Sequence, residues 1–478
     1  MLFLFTVKCL GGFVYYWIYY VYYPGTFMCD TKSTMHDASV IYSALPSHPG
    51  DYLKMLFGIH TEVETDSLYK SYFHLMDKWH RREDFEFFLN DNRTMTRLNA
   101  FLMLFSFGQY PVHALCMVVI SFAGQLLLYK TFRAFFENKL PFLLVVIFFA
   151  PSLFFWTSGV LKEPITLFLM GLFLYCFFEI CIWQRAFFRH YVFIGLAVAM
   201  FLVMKPYVFV LLLIPLLIYT VVYHRNIKRV GLFYAFSFFL LMGISWAGLK
   251  FLMHKDVIAT IVRRQNDFVN LSYGGRFMLN KEKYVRFEYA DSNMLQKVSD
   301  TPLMYRFKPH ARYMYWNLDA INDTVYVQDN TDTSLYQGLS IIAPAGSGIY
   351  FERLDYSVSS VLKMVPYAYR NLFLVPLFAP GESPTELFAS VENVLILLFI
   401  ALGCVFMAWA PEKKNLFWFL LYVVLSAFLL IGLTTTVSGA IVRYKALFLP
   451  FLLMIPLLLM KDSVLQKIPF LKRLLNGQ

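Results

Sequence analysis

Long apolar runs separated by short basic loops constrain this chain more than any other feature. Of its 478 residues, 59% are hydrophobic and only 15% are charged, a composition far more apolar than a water-soluble protein needs. A helix needs about 20 apolar residues to cross a bilayer, and about ten stretches approach that length. They lie near 3–23, 111–129, 140–157, 165–183, 191–204, 207–223, 230–251, 388–409, 416–434 and 446–461. We therefore predict an all-α, multi-pass membrane protein, in which the fifth and sixth spans are one pair broken at Lys205-Pro206.

The basic loops orient these spans. Lysine and arginine occur between spans two and three, four and five, six and seven, and eight and nine, and again after span ten. Basic loops stay on the cytoplasmic side, so an even number of spans places both termini in the cytoplasm, in a plasma (inner) membrane. The formal net charge of +11 follows from the same loops. A nucleic-acid partner is not expected, because the charges form no basic face.

Two long polar segments remain for the non-cytoplasmic side. The first contains the amphipathic stretches Leu68–Leu75 and Phe85–Leu89, which are typical of helices that lie on a membrane surface. The second mixes charges of both signs with many tyrosines and is long enough to form a small lobe. The predicted domains are a membrane domain 1–251 with the first external loop 24–98, an external lobe 252–387, and C-terminal membrane helices 388–478.

Three cations lie in short turns on the predicted non-cytoplasmic side, namely Lys162, Lys205 and Arg443. Any one of them alone is best interpreted as an interfacial anchor that snorkels to the headgroups. Three together run against the charge bias of the other loops and predict a site for a lipid-linked phosphate, in which Arg443 can grip the anion with two hydrogen bonds. Glu163 either neutralises Lys162 at a helix start or takes part in this site.

The first polar segment supplies the candidate acids. Asp37 lies in the stretch His36–Leu45, shortly after the first span. A carboxylate there can act as a general base on a substrate whose tail lies in the lipid, or it can cap a helix. Asp30 and Asp51 compete for the same role. The histidines of this segment lack a metal-ligand spacing such as His-x-x-x-His, and the six cysteines of the chain show neither a disulfide framework nor a metal pattern.

Several short motifs follow one another along the chain. They are Asp37…Tyr42…Ala44 with Gly50-Asp51-Tyr52, the region 97–129, Pro151…Ser158-Gly159…Lys162-Glu163, Gly195-Leu196-Ala197…Lys205-Pro206, and Arg443-Tyr444…Pro450. In this order they resemble the GT-C superfamily of polyprenyl-phosphate-dependent membrane glycosyltransferases, in particular the protein O-mannosyltransferases and the lipid A aminoarabinose transferases. The sequence departs from that family at Ala38, where a second acid is usual. The large late loop is also similar to that of O-antigen polymerases and ligases, in which external arginines are important.

The resemblance implies transfer of a sugar from a polyprenyl-phosphate or diphosphate carrier to a glycan, lipid or protein acceptor, in assembly of a cell-envelope glycan. The implied site has Asp37 as general base, Glu163 as an orienting acid, Lys162, Lys205 and Arg443 at the phosphate, and Arg263, Arg264 and Tyr444 as an acceptor or loop site. A divalent metal is optional in this superfamily, and the sequence requires no cofactor. Two other classes remain open, a lipid-linked sugar flippase and a non-catalytic subunit of an envelope complex.

Overall fold

The structure is a computed structural model, and it describes most of the chain. The described residues are 1–23, 29–59, 67–77, 91–252, 257–280, 283–287, 293–300, 302–316, 324–342, 344–349, 354–355, 357–375, 377, 384–409 and 411–465. The predicted amphipathic stretch Phe85–Leu89 lies outside these residues. The chain divides into two compact units, which are treated separately below. Unit 1 comprises Met1–Phe238, Leu395–Ala427 and the chain from Ala446 onward, and unit 2 comprises Phe239–Val394 and Phe428–Lys445.

Helices make up most of the described chain. The first twelve are α1 (Leu2–Tyr16, continued by a π-helical turn Trp17–Tyr22), α2 (Asp30–Ser43), α3 (Pro49–Phe57), α4 (Ser67–Ser71), α5 (Asp91–Ser106), α6 (Tyr110–Phe132), α7 (Leu140–Phe148), α8 (Pro151–Trp156), α9 (Lys162–Phe177), α10 (Phe188–Met204), α11 (Pro206–Arg225) and α12 (Val230–Leu252). The others are α13 (Val257–Tyr273), α14 (Val358–Leu374), α15 (Pro384–Val405), α16 (Lys414–Thr434), α17 (Ser438–Ala446), α18 (Leu449–Leu459) and α19 (Asp462–Leu465).

Six helical segments among the described residues are long and apolar enough to cross a membrane. They are Leu2–Tyr22, Tyr110–Phe135, Lys162–Ile182, Pro206–Arg225, Glu386–Val405 and Lys414–Thr434, and they correspond to the predicted spans one, two, four, six, eight and nine. The predicted third span is divided into α7 and α8. The predicted tenth span corresponds to α18, which follows α17 at a bend of 62°. The prediction of a polytopic helical membrane protein is thus confirmed, whereas the count of about ten spans stays a prediction.

Proline positions explain the main breaks in these helices. Helix α10 ends at Met204 and α11 begins at Pro206, with Lys205 between them in a non-helical conformation. A residue before proline is disfavoured in the helical region, and proline is well suited to the first turn of a helix. The predicted break at Lys205-Pro206 is therefore confirmed. Pro151 begins α8 for the same reason.

Two glycines mark a close approach between the backbones of helices α6 and α9 in unit 1. A β-carbon added to Gly171 would lie 2.3 Å from the carbonyl oxygen of Gly124, and one added to Gly124 would lie 2.6 Å from the backbone of Phe168. Lipid-facing helices gain little from hydrophobic burial and associate instead where small residues let their backbones approach. The glycine pair thus sets the position of α9, whose first turn carries Lys162 and Glu163.

Unit 2 corrects the all-α prediction, because it contains a seven-stranded antiparallel sheet. Its strands are β1 (Gly275–Asn280), β2 (Lys283–Phe287), β3 (Leu295–Asp300), β4 (Leu303–Phe307), β5 (Arg312–Trp316), β6 (Thr324–Val327) and β7 (Tyr336–Ile342). The order across the sheet is β3-β4-β7-β1-β2-β5-β6. In the β1–β2 hairpin Arg276 lies opposite Phe287 and Asn280 lies opposite Lys283. The short strands occur in a segment of mixed charge, where the sequence has no apolar runs to reveal them.

Aromatic rings hold one face of this sheet together. Phe307 stacks at 4.8 Å on Tyr313 and at 5.2 Å on Phe287, and its ring lies 4.5 Å from that of Tyr336. Met278 completes the buried cluster. Phe307 and Tyr336 lie on the neighbouring strands β4 and β7, whereas Phe287 and Tyr313 lie on β2 and β5. Rings from separate parts of the sheet therefore meet in one cluster, and such aromatic contacts stabilise it.

Lys139 has a structural role in addition to its place in a basic loop. It is buried, and its Nζ donates to the carbonyl oxygens of Leu457 and Met460 at 2.8 and 2.5 Å and lies 3.2 Å from Asp462 Oδ1. The last carbonyls of a helix lack partners within that helix, and a cation stabilises them. Lys139 therefore caps the end of α18.

Candidate functional site

Asp37 lies on α2, the helix that follows the first membrane span. The buried side of α2 includes Thr31, Met35 and Ala38, and the Asp37 side chain is fully buried with them. Its Oδ1 accepts a 2.7 Å hydrogen bond from the backbone N–H of Asp77, a residue 40 positions away in sequence. A carboxylate removed from water needs such donors to stay ionised. The fold therefore holds Asp37 in a specific position rather than leaving it as a solvated loop acid.

His36 and Asp77 complete a cluster around Asp37, here called the acid–histidine cluster (His36, Asp37, Asp77). The Nδ1 of His36 lies 3.4 Å from Asp37 Oδ1 and 3.6 Å from Asp77 Oδ2. His36 is half-exposed. One ligand atom from each residue can be chosen so that all three lie within 4.8 Å of one another. The cluster is thus open to water on the histidine side and closed on the Asp37 side.

A second group of charges surrounds the start of α9, and it is here called the paired cluster (Asp91, Lys162, Glu163, Lys205). Lys205 Nζ donates to Glu163 Oε1 at 3.0 Å, and both side chains are buried. Lys162 Nζ donates to Asp91 Oδ2 at 2.6 Å in a partly exposed pair. Glu163 lies in the first turn of α9, where a negative charge also interacts favourably with the helix dipole. Each lysine of this cluster therefore has a carboxylate partner.

The loop 157–161 leads directly into the paired cluster and is buried along its whole length. Thr31, in the first turn of α2, donates from its hydroxyl to the carbonyl oxygen of Val160 at 3.2 Å and contacts Tyr15 Oη at 2.9 Å. A β-carbon at Gly159 would lie 2.5 Å from the ring of Tyr15, so only glycine fits there. Lys8, inside the first span, donates to Thr157 Oγ1 at 2.5 Å. The loop therefore joins α1, α2 and α9.

The residues of the predicted site fall into three places, which are the paired cluster, the acid–histidine cluster and unit 2. Glu163 and Lys205 form an ion pair, and Lys162 lies next to Glu163 in the chain, whereas Asp37 belongs to the acid–histidine cluster. Asp77 and Asp91 are members of these clusters that the sequence did not single out. The only signal for Asp91 was its position before the apolar stretch of α5, and Asp77 had none, because its link to Asp37 depends on how the chain folds back.

The remaining predicted residues belong to unit 2. The guanidinium carbon of Arg443 lies 5.9 Å from the centre of the Tyr444 ring, and that ring contacts Phe268 of α13 edge-on at 6.1 Å. Arg263 and Arg264 are exposed on α13, and Arg264 makes a long 3.7 Å contact with Asp267. The next residue after Tyr444, Lys445, is buried and donates to Asn393 Oδ1. Unit 2 thus presents exposed arginines on one helix and a stacked arginine on another.

A buried chain of polar groups joins α5 to α6. His113 Nδ1 lies 2.8 Å from Asn99 Oδ1, and its Nε2 lies 2.7 Å from the hydroxyl of Ser106. The Ser106 oxygen also accepts from the N–H of Gly108 at 3.2 Å. All three polar side chains are buried, so the chain satisfies groups that would be costly unpaired. We infer that these hydrogen bonds stabilise the turn between α5 and α6, where Phe107 and Gly108 both have positive φ.

Two kinds of chemistry are compatible with this site. The acid–histidine cluster can accept a proton or hold a cation, and the paired cluster can hold an anionic group if one of its lysines changes partner. Thiol chemistry is not supported at Cys29, because burial raises the pKa of its thiol. No protein-family model, curated protein or solved structure matches the chain.

Proposed function

We propose that the protein is a membrane glycosyltransferase that moves a sugar from a polyprenyl-phosphate or diphosphate carrier to an acceptor hydroxyl during assembly of a cell-envelope glycan. The observation that carries the proposal is the burial of Asp37, directly after the first membrane span, in contact with His36 and Asp77. Burial of a carboxylate is costly unless the group is hydrogen-bonded or paired, and such groups are concentrated at functional sites. The sequence motifs shared with polyprenyl-dependent transferases support the same assignment.

In this proposal Asp37 is the general base. Attack of the acceptor oxygen on the anomeric carbon requires a nearby carboxylate to take the hydroxyl proton. The hydrogen bond from the Asp77 N–H occupies Oδ1 of Asp37 and keeps the carboxylate in one orientation. An oriented base lowers the barrier more than a mobile one, because the reacting groups are already positioned.

The paired cluster is proposed to receive the carrier phosphate. Lys205 and Lys162 would exchange part of their contact with Glu163 and Asp91 for the phosphate oxygens as the sugar bond breaks. Negative charge grows on the leaving phosphate at that moment, and nearby cations stabilise it. The sequence resemblance also assigns Arg443, which belongs to unit 2, to the carrier phosphate. In the proposed topology these groups act on the non-cytoplasmic face of the plasma (inner) membrane, with both termini in the cytoplasm.

One observation favours a second candidate, a polysaccharide polymerase or ligase. Arg263 and Arg264 are both exposed on α13, where they can contact an anionic acceptor chain. An exposed arginine binds phosphate or carboxylate with two parallel hydrogen bonds. The two candidates share the carrier and differ in the acceptor, which is a growing glycan for a polymerase.

The test is the Asp37→Asn variant in cells that lack the native copy of the gene. We expect transfer to fall by about 10²–10⁴-fold, the usual contribution of a general base, with polyprenyl-linked saccharide accumulating in lipid extracts. Asp300→Asn is the matched control, because Asp300 is exposed on β3 and pairs only locally with Lys297 among the residues described. The variant must also be as abundant and as monodisperse in detergent as the wild type.

Three results separate the proposal from its rivals. Full glycan assembly by the Asp37→Asn variant would refute the assigned role of Asp37 and, with it, the transferase assignment. Movement of a labelled polyprenyl-linked sugar across vesicles that contain no acceptor would identify a flippase. Product length separates the two transferase candidates, since a polymerase extends its acceptor by many units and a single-sugar transferase by one.

A further inference from the structure

A small cavity in unit 1 lies on the side of the protein that the sequence predicts to be cytoplasmic, and we propose that it binds the headgroup of an anionic phospholipid, with Lys413 and Lys414 at the phosphate. It is here called the basic cavity, and its lining includes Trp409, Lys413, Lys414, Phe417 and Leu459. Two cations beside apolar walls suit the two parts of a phospholipid, its charged headgroup and its acyl chains.

Three loops that are far apart in sequence meet around the basic cavity. The backbone N–H of Ala408 donates to the carbonyl oxygen of Leu459 at 2.7 Å, which joins the loop before α16 to the end of α18. The loop before α7 joins them, because Lys139 Nζ lies 3.2 Å from Asp462 Oδ1. All three belong to the basic loops that predict a cytoplasmic position. The fold therefore brings to one place positive charge that the sequence distributes over distant loops.

Positive charge is in excess at the basic cavity. Within the described part of the chain, neither Lys413 nor Lys414 forms an ion pair with a carboxylate, and Glu412, which precedes them, is exposed. The carboxylate of Asp462 is already bound to Lys139. Burial lowers the pKa of the Lys139 ammonium, Asp462 opposes this change, and the positive charge of Lys413 lowers the pKa further. An anion at the cavity would offset this repulsion between cations.

The position of the two lysines in the chain adds to this excess. Pro411–Lys413 form a 3₁₀ turn, and Lys414 is the first residue of α16. The start of a helix is the positive end of the helix dipole, where carboxylates are stabilising and lysines are not. Two adjacent lysines at this position therefore repel each other and the dipole, and an anion that lies against them removes both costs.

The apolar part of the basic cavity suits a lipid rather than a free phosphate ion. Trp409 is 45% exposed, and its ring meets that of Phe417 edge-on at 5.2 Å. Tryptophan is enriched at the headgroup level of a bilayer, because its ring is apolar and its N–H can donate. Val405 and Phe406, at the end of α15, expose 74% and 38% of their surface. Acyl chains can cover these side chains while the phosphate contacts the lysines.

The test is independent of the proposed transferase, since it needs neither donor nor acceptor. The full-length protein in detergent is titrated with phosphatidylglycerol, which is anionic, or with phosphatidylcholine, which has no net charge, and bound lipid is counted by native mass spectrometry. We expect one phosphatidylglycerol per chain to bind more tightly than any phosphatidylcholine. The double variant Lys413→Gln/Lys414→Gln should bind phosphatidylglycerol about 30-fold more weakly, since each lysine near an anionic lipid surface contributes about fivefold.

The matched control is Lys130→Gln/Lys228→Gln, which removes two exposed lysines from other loops predicted to lie on the same side. It removes the same charge as the first double variant and should bind phosphatidylglycerol as the wild type does. Trp409→Ala changes no charge and should also weaken binding, because it removes an apolar wall of the cavity. The five side chains changed are exposed or partly exposed, so all variants should be as monodisperse as the wild type.

Four results would overturn the proposal. The wild type could bind phosphatidylcholine as tightly as phosphatidylglycerol, which would exclude a site for anionic lipid. The two double variants could lose phosphatidylglycerol to the same extent, which would show a general attraction to the basic side. Trp409→Ala could bind as the wild type does, which would exclude the cavity. Inorganic phosphate at equal concentration could displace the lipid, which would identify a phosphate site.

Discussion

The two charged clusters of unit 1 contain similar residues and differ in how completely those residues satisfy one another. In the paired cluster, Lys205 and Glu163 are buried and 3.0 Å apart, at the length of a good charge-assisted hydrogen bond. In the acid–histidine cluster, the contacts of His36 are 3.4 and 3.6 Å long, and one oxygen of Asp77 lacks a hydrogen-bond donor among the described residues. We call the Lys205–Glu163 pair closed, because its two charges satisfy each other. We call the acid–histidine cluster open, because its contacts are longer and one carboxylate oxygen lacks a donor among the described residues.

The difference shows that burial and partner distance, rather than residue type, separate an ion pair whose charges satisfy each other from a cluster whose charges do so only in part. A closed buried pair costs much to break, because removing one partner leaves the other charge in a medium that cannot solvate it. The three predictions below test this contrast from the largest expected effect on stability to the smallest.

The largest effect is expected for Lys205→Met, which leaves Glu163 charged and buried. We expect a loss of about 3–5 kcal/mol in the free energy of unfolding, seen as a lower thermal midpoint and a smaller monodisperse fraction in detergent. Combining Lys205→Met with Glu163→Leu should recover most of this loss, because apolar groups of similar size can replace a buried pair. A single variant as stable as the wild type would contradict the description of this pair as closed.

A smaller effect is expected for Gly159→Ala, in the loop that lies between α1, α2 and the start of α9. The new β-carbon would lie 2.5 Å from the Tyr15 ring, which must move, and overpacking of this kind costs about 1–3 kcal/mol. The control is Gly195→Ala in α10, since a β-carbon there meets nothing within 4 Å. We expect Gly159→Ala to lower the thermal midpoint and Gly195→Ala to leave it unchanged. Equal midpoints for the two alanine variants would show that the loop yields without strain.

The smallest effect is expected for Lys162→Met, which breaks the partly exposed pair with Asp91. Water screens such a pair, so we expect a loss of about 0.2–1 kcal/mol despite the short 2.6 Å contact. A double-mutant cycle with Asp91→Asn isolates the interaction, and added salt should reduce it further. A loss as large as that of Lys205→Met would mean that contact length, rather than burial, decides the strength of these pairs.

Much of the membrane part of the fold could be predicted from local patterns. The long apolar runs gave the six helical segments that are long enough to span, and Pro206 gave the break after Lys205. The sheet of unit 2 was not predicted. Its strands are four to seven residues long and rich in tyrosine and arginine, so neither length nor alternation distinguishes them from loops.

The candidate site, like the fold, could be predicted from the sequence only in part. The sequence by itself determined that the chain is a multi-pass membrane protein and that Lys162, Glu163 and Lys205 are unusual, because an ionisable residue beside an apolar run is visible wherever it occurs. It offered Asp37 as one candidate acid beside Asp30 and Asp51. Only the tertiary structure decided their partners. Asp77 reaches Asp37 across 40 residues and Asp91 reaches Lys162 across 71. Such pairs depend on the path of the whole chain, since hydrogen bonds and ion pairs act over a few ångströms of space and carry no signature in the sequence between the partners.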